Sequence, residues 1–327
     1  MFSPTKKLDV EKDIEEINNE LVKLKDNAPY DEEIVNLIDE VIETGGKRIR
    51  PLITLLCYEM FSNKKRNNTI FAAACAIEII HNASLLIDDV FDKDIFRRKK
   101  KSFYLKFSTF SAISMSYSLS SLAFGLALKT KLLEIVEELT KATQNLAVSL
   151  FLEQKFRNAT TKMTKEEALL LIDRKTTTLF EAASVIGVLL DQATQEDREK
   201  MKEFGKYFGR AFQLRDDLLS IIATEEEIGK TGVITDIKNR IQSYIILVAM
   251  EQAVEEDKKK LEDYYIEKKE FDVEEIRFLI KRSGAVSTVV KLVNEYIERA
   301  MSILKSYPES IARNKLIEIT RFLSLNL

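Results

Sequence analysis

The chain has 327 residues, 45% of them hydrophobic, with 50 basic and 53 acidic side chains and a formal net charge of −3. That apolar content is enough for a large core, and the charge balance excludes the basic excess that nucleic-acid binding leaves. Only 9 glycines and 4 prolines punctuate the chain, so the expectation is an all-α fold, a single helical domain over residues 1–327.

The opening MFSPTKKLDVEKDIEE carries no apolar signal core. Ile34, Ile38, Val41 and Ile42 recur at helical spacing. Next comes GGKRIRP, residues 45–51, where paired glycines precede a helix start and Lys47 and Arg50 stand three apart on one side of its first turn. By itself this is either a plain connection or an anion-binding helix terminus. Cys57 and Cys75 lie in apolar runs without metal-type spacing, as small core residues of a reducing, cytoplasmic compartment would.

The segment HNASLLIDDVFDKD puts His81, Asp88 and Asp92 on one helical face, seven and four residues apart. Like charges at that spacing repel, and Mg²⁺, held by one or two carboxylates together with phosphate oxygens, would offset the repulsion. The bland alternative is a solvated acidic helix end. Arg97 and Arg98 follow, then Lys99, Lys100 and Lys101, cations placed either for a phosphate ligand or as charge compensation at a helix C-terminus.

Residues 107–128 carry no charge and are long enough to span a bilayer, with no other segment expected to compete for one, but seven serines make a buried interior helix the expectation, with no membrane span. Further breaks near residues 158–164, 191–197, 223–233 and 306–309 leave about eight to ten helices. RKTTTLF carries Lys175 and Thr176. FGRAFQLRDDLLS then aligns Gln213, Asp216 or Asp217, and Ser220 on one face, acids among apolar neighbours that are costly unless paired or metal-bound. Lys230, in GKTGVITD, is a further cation, and residues 255–275 form a charged connection, most simply a solvated helical face.

GGKRIRP, EIIHNASLLIDDVFDKDIFRR, RKTTTLF and FGRAFQLRDD, in that order, resemble the trans-isoprenyl (polyprenyl) diphosphate synthase family over roughly residues 47–236. With LLIDD before the acids, the chain is most similar to geranylgeranyl or longer-chain, hexaprenyl-type synthases. The resemblance implies a helical bundle around a deep cavity, a homodimer, and condensation of isopentenyl diphosphate with an allylic diphosphate. It also implies that Asp88, Asp89, Asp92, Asp216 and Asp217 hold Mg²⁺. Arg97, Lys175 and Lys230 would contact the allylic diphosphate, positioned with Thr176 and Gln213. Lys47, Arg50, His81 and Arg98 would bind isopentenyl diphosphate. Ala83 and Ser84, small residues before the first aspartate, would leave the hydrocarbon cavity open. Phe110, Tyr117 and Phe124 recur every seven residues on one face of the serine-rich helix, either as ordinary core aromatics or with a ring, Tyr117 foremost, forming a deeper floor; the expected product has twenty carbons or more.

The sequence also departs from the family pattern. Ser220 stands where a third aspartate is frequent, Lys99–Lys101 replace a Gly and Pro context, Ser116-Tyr117 replaces a Gly-Asp pair, and Arg240-Ile241 replaces a Gly-Lys pair. Arg240 is the expected substitute for the lost lysine. The competing readings are a degenerate or regulatory subunit, which those changes favour, and a terpene cyclase, which would not need GGKRIRP. A helical scaffold without ligands would gain no stability from Mg²⁺ and diphosphate.

Overall fold

Apolar residues at three- and four-residue spacing, with few glycines, leave the backbone little choice but to pair locally. The computed structural model describes residues 9–24, 31–42, 45–62, 64–98, 100–158, 161–191, 193–222 and 235–325, and it is helical almost throughout. In chain order the helices are α1 (Glu11–Lys23), α2 (Glu32–Ile42), α3 (Ile49–Phe61), α4 (Asn68–Asp92), α5 (Phe103–Lys106), α6 (Thr109–Lys129), α7 (Leu133–Asn158) and α8 (Lys165–Ile172). A π-helical turn (Asp173–Thr177) leads into α9 (Thr178–Leu189) and α10 (Gln195–Ile222). There follow α11 (Thr235–Lys238), α12 (Tyr244–Gln252), α13 (Glu255–Tyr265), α14 (Val273–Arg282), α15 (Ala285–Lys305) and α16 (Ile311–Arg321). A two-residue antiparallel ladder pairs Phe96 with Lys101 and Arg97 with Lys100.

These sixteen helices among the described residues exceed the eight to ten expected. Some of the extra breaks have almost no sequence signature. At the start of α6, for example, a lone Ser108 hydroxyl accepts from the Ser111 amide at 2.9 Å, a cap that needs neither glycine nor proline.

Helix α4 is central, with Ile70, Ala73, Ile77, Ile80, Ala83 and Leu86 all buried, as expected of a helix apolar on most sides. It packs against α3, α6 and α9, while α10 lies between α9 and α15. Each large aliphatic side chain buried there contributes roughly 1.5–3 kcal/mol.

Two expectations are corrected. Both α4 and α6 are long and apolar enough to cross a membrane by length and composition, so 107–128 is not alone in this. Nor is α6 an interior helix: only 33% of its apolar window is buried, and Phe110, Ile113, Tyr117 and Leu128 are exposed.

Candidate active site

The site begins with the loop before α3. Arg48 is 5% exposed and adopts a left-handed backbone, φ 49°. Its guanidinium donates to Glu78 Oε1 at 2.7 Å, the Ile42 carbonyl at 2.8 Å and Asn18 Oδ1 at 2.9 Å. That anchor ties the loop to α4. Gly46, at φ 144°, has the Arg98 guanidinium where a side chain would project, 2.9 Å from the position of a Cβ. Any other residue would push Arg98 away.

With the loop fixed, residues from α3, α4, the π-turn and α10 line an open cavity of about 710 Å³. Lys47, Arg50, His81, Ser84, Asp88, Arg97, Arg98, Lys175, Thr176, Gln213 and Asp216 all line it. Burial pushes Arg50 down to about 10, against the pull of Glu78 and Asp216. Its guanidinium stacks 4.5 Å above the Phe180 ring, and its buried Nε has no hydrogen-bond partner. Burial, then Arg50 and Arg98, hold the His81 imidazole well below its ordinary value, so it is a neutral hydrogen-bonding group.

On the acidic wall, burial raises Asp88 to about 6 although Lys175 stands 3.7 Å away. Asp89 is 3% exposed and accepts from Arg97 Nε at 2.6 Å, with Asp94 taking the same guanidinium at 3.1 Å. Burial still raises the Asp89 carboxyl. Asp92 is gripped by Arg157 Nη2. On the opposite wall, burial raises Asp216 against the pull of Lys47 and Arg215. Asp217 accepts from Gln213 Nε2 at 2.8 Å, while Thr176 Oγ1 donates to Gln213 Oε1 at 2.6 Å. Thus Thr176 orients the amide that holds the second acidic cluster.

The π-turn presents Lys175 and Thr176. Such widened turns recur at functional sites, and here two contacts brace it. Arg210 holds Asp173 through two bonds of 2.8 and 2.6 Å. Gly209 lets α10 approach so closely that a Cβ would meet Thr177 Cα at 2.7 Å.

A second cavity of about 160 Å³ shares the Lys175, Thr176 and Gln213 wall and is bounded by Asp92, Glu153, Arg157, Asp217, Arg240 and Ile241. Glu153 and Arg157 escaped the sequence reading. Glu153 is 4% exposed; its Oε2 receives Lys175 Nζ at 2.6 Å and its Oε1 receives Arg157 at 2.7 Å. Burial alone would raise Glu153, but Lys175 and Arg157 override it and lower the carboxyl. Burial likewise lowers Lys175, and Asp88 with Glu153 more than reverses that. The only sequence signal was an opposite-charge pair four apart on a helix, which is common on solvated faces.

A third cavity, of about 130 Å³, leads from Asp88 and Lys175 between α4, α6 and α7. Ala83, Ser84, Ser116, Ser120, Ala147 and Ser149 keep it open, with Ile80, Ile87, Leu146 and Leu150 supplying its apolar surface. The hydroxyls are turned to helix carbonyls: Ser84 to His81, Ser116 to Ala83 at 3.0 Å, Ser120 to Ser116 and Ser149 to Leu146. The lining therefore offers a hydrocarbon few unsatisfied donors.

Two expectations fail or fall outside. Tyr117 is 76% exposed and lines none of these cavities. Its neighbour Ser116 faces α4, and one residue is about 100° of helical rotation, so the tyrosine ring points outward and forms no floor within the chain. Phe110 is likewise outside, at 80% exposure, whereas Phe124 packs on the core. Arg240 borders the second cavity, and its guanidinium bonds the exposed Glu270 at 2.7 Å and lies 4.7 Å from the Tyr264 ring. Lys230 lies outside the described residues.

Among the described residues no three His, Cys, Asp or Glu side chains form a closed metal cage. The donor set still fits Mg²⁺, which takes one or two carboxylates and completes its shell with phosphate and water.

The family model described as polyprenyl synthetase matches residues 31–282. The chain belongs to the polyprenyl synthetase family. It is 29% identical over 289 residues to a geranylgeranyl diphosphate synthase of Methanosarcina mazei, covering 85% of this chain and 86% of that protein. It is 32% identical over 242 residues to a short chain isoprenyl diphosphate synthase of Methanocaldococcus jannaschii, covering 73% and 72%. Its fold matches the polyprenyl synthase from Caulobacter crescentus, solved with calcium and isoprenyl diphosphate, at a TM-score of 0.87 and 26% identity over 96% of this chain and 94% of that one. As a polyprenyl synthetase family member, the chain has the all-α fold the motifs implied.

Proposed function

We infer that this protein is a trans-prenyltransferase condensing isopentenyl diphosphate with an allylic diphosphate to give a product of twenty or more carbons. The observation that carries the reading is the single cavity in which Asp88 and Asp216 stand on different helices, ringed by Lys47, Arg50, His81, Arg98 and Lys175, beside a lining of small residues suited to a hydrocarbon. The relatives are synthases, which outweighs the departures at Ser220 and Arg240-Ile241 that favour a regulatory subunit.

In this reading Asp88, Asp89 and Asp92 on α4 and Asp216 and Asp217 on α10 would hold Mg²⁺. Bound there, Mg²⁺ supplies Lewis-acid neutralisation of the departing diphosphate. Lys175 and Arg97 add fixed positive charge at the same place, where charge develops as the allylic C–O bond breaks. Lys47, Arg50, His81 and Arg98 hold the isopentenyl diphosphate, and neutral His81 contributes hydrogen bonds. Ala83, Ser84 and the walls of the tail cavity keep water from the allylic cation.

The exposed apolar side chains of α6 and α7, among them Phe110, Tyr117 and Phe151 at 80%, 76% and 75% exposure, support a homodimer, since exposed apolar side chains gathered on neighbouring helices suit an association surface, and the buried free Cys57 and Cys75 suit a reducing, cytoplasmic compartment. The test of function is incubation with Mg²⁺, isopentenyl diphosphate and allylic primers of increasing length, followed by product sizing. Polyprenyl diphosphates of twenty or more carbons are expected, abolished by chelation; no product from any primer would overturn the reading.

A further inference from the structure

The second cavity holds a cation that neither the motifs nor the proposed roles use. Arg157, on α7, lies on its wall with Asp92, Lys175 and Asp217, so it shares one space with carboxylates of both acidic clusters. Its guanidinium is held in place from three sides: by Asp92, by Glu153 at 2.7 Å, and by the Phe91 ring 4.7 Å away. Its Nε is buried without a hydrogen-bond partner, which is costly for a cationic donor. Glu153 holds Arg157 by one oxygen and Lys175 by the other, so two cations flank one carboxylate and face one space. On the opposite side Ile241 brings no charge, and Arg240 is engaged by Glu270 and Tyr264.

We propose that Arg157 is a further diphosphate-binding residue, a guanidinium that moves from the Asp92 carboxylate onto the allylic diphosphate once Asp92 is engaged by metal. The proposal rests on the reading of the site as a prenyl diphosphate synthase. Glu153 keeps the guanidinium in reach throughout, and planar guanidinium matches the spacing of phosphate oxygens. Arg157 thereby supplies from α7 positive charge to a space that Ile241, also on its wall, leaves uncharged.

The test is calorimetric titration of an unreactive allylic S-thiolodiphosphate, with Mg²⁺ present, into wild type, Arg157→Gln and Arg157→Lys, with isopentenyl diphosphate titrated in parallel. Arg157→Gln should weaken the allylic analogue by about 10- to 100-fold, the loss of one charge-assisted contact, and leave isopentenyl diphosphate affinity unchanged. Arg157→Lys should recover part of the loss, and it remains decisive if the glutamine variant does not fold. Analogue binding equal to wild type in either folded variant overturns the proposal. So does equal weakening of both ligands with a fall in melting temperature, which would mark a purely structural role. If wild type itself binds no analogue, the reading of the whole site falls and Arg157's role with it.

Discussion

At Glu181, on α9, burial drives the carboxyl up to about 7, against the pull of Lys202 and Lys206. The folded chain thus binds this proton more tightly than the unfolded one. The stabilisation is fully present below the ordinary carboxyl value of 4.5 and is lost as pH rises through about 7. Glu181→Gln should therefore match wild type near pH 4 and exceed it at pH 8, by on the order of 1–2 kcal/mol once solvent screening is allowed for; thermal melts at the two pH values measure this. Arg48 behaves differently, because its partner Glu78 is buried with it, at 4% and 3% side-chain exposure. Arg48→Met strands that carboxylate and should cost about 3–5 kcal/mol in urea unfolding, whereas Arg48→Met with Glu78→Leu should recover most of it. Sequence reading reached Asp88, Lys175 and Asp216 because each sits in a short local pattern. It missed the Arg157 contact with Asp92, 65 residues away, because only the fold brings α7 against the end of α4.

Among the elements, the π-turn depends most on its surroundings. Gly209→Ala places a Cβ against Thr177 backbone, 2.7 Å from its Cα, which cannot swing aside as a side chain would. A loss of about 1–3 kcal/mol follows, seen as a lower melting temperature, and a raised KM for the allylic substrate should accompany it because Lys175 and Thr176 move with the turn. In α6, the sequence shows a seven-residue aromatic stripe but not which side of the helix faces α4. The Ser116 bond to the Ala83 carbonyl settles that side and turns Tyr117 outward. Ser84→Phe, filling the tail cavity near Asp88, should shorten the product, and Tyr117→Ala should leave its length unchanged; chromatographic sizing of products distinguishes the two.

For the whole molecule, the uncovered apolar side chains of α6 and α7 give the clearest expectation. Phe151 is 75% exposed on α7, and Phe151→Asp should shift the sedimenting species from dimer to monomer at micromolar concentration, with the helical content intact. The all-helical architecture was legible from glycine scarcity and spacing, whereas the break before α6 was not, because a single serine cap leaves no compositional trace.

The resting site is already paired: Asp89 with Arg97, Asp92 with Arg157, Glu153 with Lys175. A dication arriving by itself would have to strip a guanidinium from its acid, and an anion by itself would have to strip the acid from its guanidinium. Arriving together, each compensates the group the other sets loose. Affinity for either should thus rise with occupancy by the other, and by reciprocity to the same degree, so that the pocket discriminates against lone ions and stays quiet until the complete ligand enters.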